Sequence, residues 1–447
     1  MVYDRLTLSA RRRLFRHNAY SYLILTYKAR VAELFEIIKE YDLGLGLRRQ
    51  YLFRLLPQEL FAFGDIVPRI FRPFGMLRAI LDRDTVEWLA EQPEVIKIFS
   101  DEPMWVLQYP TVPPEGVFEL PMKPKPKTFT TTEYTRKLVG ADTANRKGFF
   151  GDGVKVAIID TGNPAVHESI NRAVKDTVMT TSALDANGHG THVTATIGGI
   201  RTRDDMMSSI LGRDVWTQGM APRCDLISIK ALGYVIGTGL TSQIIQAIEK
   251  AVEYYRVDVI NMSLGGSINA ERQEDDPYYH VMKEVVEKYH TIPVVAAGNE
   301  GPGEGTISSP GWLESVLTVA AYDPIRGEVA DFSSRGPTPD NRVKPDTIAP
   351  GVNIHTACVN LLDMSGDRMP QRYAPLSGTS MSTPHCSGLV ALMRQAHMTL
   401  LGKLLTVDEV KKMLMELGHE KTNYDGWGPL TWDMYEMWLA TEYGISI

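Results

Sequence analysis

Val154 to Gly162 reads VKVAIIDTG: an apolar run with β-branched residues, ended by an acidic residue and a Thr-Gly turn. That is the pattern of a strand buried on both faces, with a carboxylate delivered at its carboxyl end, where open α/β sheets place their sites. Similar runs follow, DLISIKAL from 225, VDVINMSL from 257 and IPVVAAG from 292. Between them the spacing predicts helices over about 241–255 and 279–289. Strands alternating with helices imply a doubly wound parallel sheet, an α/β fold.

Before residue 108 the pattern differs. Strands are expected at 22–27, 76–81 and 95–99. Val31, Leu34, Phe35 and Ile38 lie at helical spacing, and Asp82 or Asp84 can cap a helix carrying Val86, Leu89 and Ala90. With one strand of the four left unplaced, this fits the β-α-β-β-α-β order of a small α+β, ferredoxin-like module. The stretch YPTVPPEGVFELPMKPKPKTF, from 109, has neither period and reads as an extended linker. The expected organisation is a module over 1–108, a linker over 109–130 and a large α/β domain over 131–447.

The chain has 447 residues and a net charge of -7, with 44% apolar and 23% charged residues, as in ordinary globular proteins. It shows no basic block for a phosphate backbone and no apolar run of bilayer length, so neither nucleic acid nor membrane is an expected partner. Charge is uneven: residues 1–130 hold 19 Lys and Arg against 16 Asp and Glu, a net of +3, leaving -10 for the rest. Opposite signs favour docking, and uneven surface composition explains them equally well. Cys224, Cys358 and Cys386 are odd in number and widely spaced, which argues for buried free thiols. No secretory signal is visible, so a cytoplasmic location is expected, or a secreted one if a signal has been removed.

Three segments carry nucleophilic chemistry: Asp160 in DTG, His189 in NGHGTHV and Ser380 in SGTSMSTP. A serine hydroxyl needs a base to take its proton, and the base needs a carboxylate to fix its tautomer. Taken singly, Asp160 fits a turn or a helix cap, and His192 competes with His189 as the base. Pro384 is expected in the first turn of the helix that runs on through Leu389 and Leu392.

Together with VINMSLGG at 259–266 and AAGNEGP at 296–302, these segments resemble the subtilisin family of serine proteases over about 130–440. The resemblance implies a serine endopeptidase with Asp160, His189 and Ser380 as its triad and Asn299 as a side-chain oxyanion donor. Gly237, Thr238, Gly239, Ser263, Leu264 and Gly265 would clasp an extended peptide. The P1 pocket would have Ser308 at its floor, Ala296 and Gly298 on its wall and Glu300 at its rim, favouring large uncharged side chains. The stretch AILDRDTVEWLAEQPEVIKIFSDEP, 79–103, resembles the family's propeptide inhibitor, which makes the chain an autoprocessed zymogen inhibited by its own module, cut near 107–109 or elsewhere up to about 129. Its other partners would be protein or peptide substrates.

No cofactor is expected for the chemistry. Structural calcium is possible but not identifiable: His167-Glu168-Ser169 departs from the family's ligand segment, and Asp204, Asp205 and Asp214 lie in a stretch, 201–218, expected to be a solvated loop. Two other readings stand beside this one: a non-catalytic binding protein of the same fold, and a stably self-inhibited regulatory complex.

Overall fold

The computed structural model describes residues 5–16, 19–41, 68–107, 129–179, 182–233, 237–359 and 372–447. The expected linker therefore lies outside the described residues except for 129 and 130, as do Gln108 and Tyr109.

The N-terminal part runs α1 (Leu8–Arg16), β1 (Ala19–Thr26), α2 (Val31–Tyr41), β2 (Arg69–Phe71), β3 (Met76–Asp82), α3 (Arg83–Glu91), β4 (Val95–Ser100) and β5 (Pro103–Val106). Its sheet is antiparallel, in the order β2-β3-β1-β4. Asp82 caps α3 by accepting from the Thr85 amide at 2.9 Å. The period of two along β1 sorts its side chains: Tyr20, Tyr22 and Ile24 pack with Leu14 of α1, Leu34 of α2 and Val86 of α3, whereas Leu23 and Leu25 face the rest of the protein. Helix α1 was not anticipated, although buried Leu6, Ala10 and Leu14 recur every fourth residue.

The C-terminal part is built on a seven-stranded parallel sheet of β6 (Lys155–Asp160), β7 (Val174–Thr177), β8 (Asp225–Lys230), β10 (Val259–Met262), β12 (Ile292–Ala296), β13 (Leu317–Tyr322) and β14 (Thr347–Pro350), in the spatial order β14-β13-β12-β10-β6-β8-β7. Short strands β9 (Thr238–Leu240) and β11 (Leu264–Gly265) lie off this sheet, and β15 (Ile354–Ala357) pairs with β16 (Tyr373–Leu376). The helices used below are α4 (His189–Gly198), α5 (Thr241–Glu249), α6 (Pro277–Glu287) and α7 (Thr379–Leu401).

Two expectations change. Stretch 201–218 is not simply a solvated loop: Thr202–Arg203 pairs with Trp216–Thr217 around a helix over Asp205–Leu211. It is held because Asp204 is buried, caps that helix and bonds His355 Nε2 at 2.9 Å, while Asp205 and Asp214 pair with Arg203. Helix α7 starts at Thr379, so Pro384 lies inside it. Proline has no amide for the Ser380 carbonyl, and that carbonyl instead accepts from Ser263 Oγ at 2.9 Å.

The two parts share a core. Leu23, Leu25, Phe71, Met76 and Phe99 belong to the same buried cluster as Ile244, Ile245 and Ile248 of α5 and Val281, Met282 and Val285 of α6. The charge asymmetry reappears here: Arg69 pairs with Glu249, Lys97 with Asp275 and Lys28 with Glu284. Helix α5 has leucine at its N-cap, which offers no side-chain oxygen to the free amides of the first turn. Asp101 supplies it, accepting from the Ser242 amide at 2.8 Å, Ser242 Oγ at 2.7 Å and Ser21 Oγ at 2.9 Å. The Glu102 carbonyl accepts from the Thr241 amide at 2.9 Å. Burial pushes the Asp101 carboxyl up, with Arg78 and these donors acting the other way.

Candidate active site

The carboxyl ends of three neighbouring strands, β6, β10 and β12, deliver Asp160, Ser263 and the Ala296–Asn299 loop to one place. Helices α4 and α7 add His189 and Ser380 from their first turns. Asp160, His189 and Ser380 are all fully buried. His189 Nδ1 lies 2.8 Å from Asp160 Oδ1, which also accepts from the Thr161 amide at 2.7 Å. The other imidazole nitrogen, Nε2, has no hydrogen-bond partner among the described residues. Ser380 Oγ donates to the Ser263 carbonyl at 2.9 Å.

His192, the rival base, is committed elsewhere: its Nε2 lies 2.7 Å from the Ile354 carbonyl, and burial lowers its pKa to about 3. His385 is held between the Met381 carbonyl and Thr135 Oγ1, and burial lowers its pKa to about 4. Both imidazoles stay neutral at ordinary pH.

Asn299 is oriented by its oxygen, which accepts from the Thr379 amide at 3.0 Å and from Thr379 Oγ1 at 2.9 Å. Its amide nitrogen Nδ2 is buried and has no partner among the described residues. A buried orphan donor is costly unless something uses it.

The cleft holds a peptide, and the peptide is this chain. Strand β5 lies between β9 and β11, antiparallel to both, with Trp105 opposite Thr238 and Gly265, and Met104 opposite Gly239. The Val106 amide donates to the Gly237 carbonyl at 3.0 Å and the Leu107 amide to the Ser263 carbonyl at 3.5 Å. The Leu107 carbonyl then accepts from the Ser380 amide at 3.3 Å. Close approach explains the glycines: a Cβ on Gly237 would stand 2.9 Å from the Val106 methyls, and one on Gly265 would stand 2.8 Å from Leu107 Cδ1.

Leu107 is buried, Ser308 lies beside both Gly265 and Gly298, Ala296 is buried and Glu300 is exposed. Met104 is buried and would contact a Cβ placed on Gly266. The segments 237–239 and 263–265 and the Ser380 amide thus meet at the strand that ends in Leu107.

Several contributors were not singled out. Asn261 Nδ2 donates to Ser263 Oγ at 3.0 Å while Ser387 Oγ donates to Asn261 Oδ1 at 2.8 Å, which ties α7 to β10 beneath Ser380. Thr379, in the quoted GTSMS run, orients Asn299. Away from the cleft, Glu168 accepts from Tyr373 Oη at 2.6 Å and pairs with Arg372, so this carboxylate is occupied by the chain's own donors. Cys224, Cys358 and Cys386 are free and buried. Among the described residues no helix is long and apolar enough to cross a membrane.

Residues 151–428 match the model of the subtilase family. The chain is 34% identical over 308 residues to the serine protease AprX of Bacillus subtilis, covering 64% of this chain and 65% of that one, just under two thirds of its length. It is 32% identical over 277 residues to subtilisin DY of Bacillus licheniformis, covering 60% and 87%. With subtilisin E of Bacillus subtilis the identity is 30% over 344 residues, covering 75% and 74%. A family match over more than half of the chain, on the α/β fold and cleft described above, makes this chain a member of the subtilase family, the subtilisin-like serine endopeptidases.

Proposed function

We propose that the chain is a self-processing precursor that cuts its own Leu107–Gln108 bond and is held inactive by its N-terminal part until that part leaves. The observation that carries this reading is the hydrogen bond from the Ser380 amide to the Leu107 carbonyl, at the end of a strand paired on both sides. A carbonyl so placed is oriented for attack.

Ser380 Oγ would leave the Ser263 carbonyl, pass its proton to His189 Nε2 and bond to the Leu107 carbonyl carbon. Asp160 steadies the imidazolium, and the Ser380 amide with Asn299 Nδ2 stabilises the oxyanion. The imidazolium then gives its proton to the departing Gln108 amine, and water attacking the acyl-enzyme releases Leu107 as a carboxylate. On other proteins the same pocket favours a large uncharged residue before the cut, because Leu107 is buried there beside Gly265, next to Ser308.

Leu107→Asp tests the assignment, since it puts a charge where a buried leucine now sits. Self-cleavage of that bond should slow on the order of 10²-fold, while Leu107→Met stays close to wild type. If Leu107→Asp is cut at the same bond at the wild-type rate, Leu107 is not the residue that the pocket reads.

The extent of the interface favours persistence of the inhibited complex after the cut. Asp101→Ala would orphan the Ser242 amide and leave the Ser242 hydroxyl without its acceptor, a loss of about 1–3 kcal/mol. Peptidase activity should then appear about 10- to 100-fold sooner after processing, as read by continuous peptide hydrolysis. An unchanged lag would mean that this contact does not hold the complex together.

A further inference from the structure

Next to the Asp160–His189 pair lies a second buried carboxylate, Asp185, four residues before His189 and 4% exposed. One oxygen, Oδ1, accepts from Thr161 Oγ1 at 3.0 Å and from the amides of Asn187 and Gly188, both at 2.9 Å. The other, Oδ2, accepts from the Thr191 amide at 2.9 Å and from Thr191 Oγ1 at 2.6 Å. These donors come from two separate elements: Thr161 follows Asp160 at the end of β6, and the others belong to the start of α4, which carries His189.

Thr161 completes the link. Its hydroxyl donates to Asp185 and accepts from the Gly190 amide at 2.9 Å, while its own amide donates to Asp160. Its carbonyl accepts from the fully buried Lys230 Nζ at 2.7 Å, which also reaches the Leu184 carbonyl at 3.0 Å. The residues on either side of the Asp160–His189 bond are thus tied to one another through Asp185.

We propose that Asp185 is a positioning residue for the reaction: acting through Thr161 and the first turn of α4, it sets the distance and angle between Asp160 and His189. It touches neither substrate nor reacting atoms. The role rests on the function proposed above. A carboxylate suits it because it is acceptor-only and can take five donors at two oxygens, and because negative charge is favoured at a helix N-terminus. An amide in its place would present two donors of its own to donors.

Self-cleavage of the full-length chain is the cleanest reading, since the strand already occupies the cleft and the rate contains no substrate-binding step. Asp185→Ala should lower that first-order rate about 10²-fold, the scale of a 1 Å misplacement of catalytic groups, and Asp185→Asn should lower it in the same direction. In whatever fraction matures, kcat for a peptide should fall while KM holds. Thr161→Val, which removes the linking hydroxyl at constant shape, should also slow cleavage, and Thr161→Ser should restore most of the rate. That rescue separates positioning from general destabilisation, and the Thr161 pair decides the matter if Asp185→Ala does not fold.

Ser380→Ala serves as the control. If it stays uncut while Asp185→Asn and Thr161→Val both cut within about twofold of wild type, the positioning role fails and the proposed function stands. If Ser380→Ala is itself cut in the absence of other proteases, the proposed function fails first.

Discussion

Ser380→Ala should keep the chain at its full 49.9 kDa under conditions in which the wild type splits into a large fragment of residues 108–447 and a small one of residues 1–107. The cut requires a nucleophile on the carbonyl that the Ser380 amide already holds. An alanine retains that amide, the clasp of β9 and β11 around β5 and the shared core, so binding survives and chemistry does not. In subtilisin, loss of the equivalent serine lowers kcat by about 10⁶-fold, which makes days of incubation the relevant scale. The variant should remain folded and retain its N-terminal part in the cleft. Normal processing of the purified variant would place the chemistry elsewhere.

Asn299→Leu, nearly the same shape without the amide, should lower kcat of the processed protein by about 10²- to 10³-fold with little change in KM. The amide nitrogen is buried and has no partner among the described residues, and in the proposed mechanism its partner is a charge that exists only during the reaction. Thr379→Val removes one of the two bonds that aim Asn299 and should give a smaller loss in the same direction. An unchanged kcat in Asn299→Leu, with a raised KM, would mean that Asn299 binds the ground state and has no oxyanion role.

Much of the fold was legible because the physics was local. β6 is apolar along its length and announces a strand covered on both faces, and Val31 to Tyr41 shows the spacing of a helix with one buried stripe. Asp82 lies where a cap is needed. Gly237 and Gly265 were singled out through the family resemblance, and their close approach to Val106 and Leu107 gives the physical reason for glycine there.

What was not legible depended on distant partners. The start of α7 could not be read from Pro384, since the missing proline amide is compensated by Ser263, more than a hundred residues away. Stretch 201–218 has the composition of a solvated loop, and only His355 makes Asp204 a buried anchor. Asp101 is one acidic residue among many until the bare N-terminus of α5 comes to it. Leu107 carries no motif either: the sequence bracketed the cut only to 107–109 or the linker beyond, and the pairing of β5 between β9 and β11 sets the Leu107 carbonyl against the Ser380 amide.

That register is the centre of the account, and intact-mass analysis with N-terminal sequencing of the incubated wild-type protein tests it most directly. The large fragment should begin at Gln108, and this first cut should be absent from Ser380→Ala. A large fragment that begins elsewhere in 110–129 while Leu107–Gln108 stays joined would contradict the account, because β5 would then fill the cleft without being its substrate.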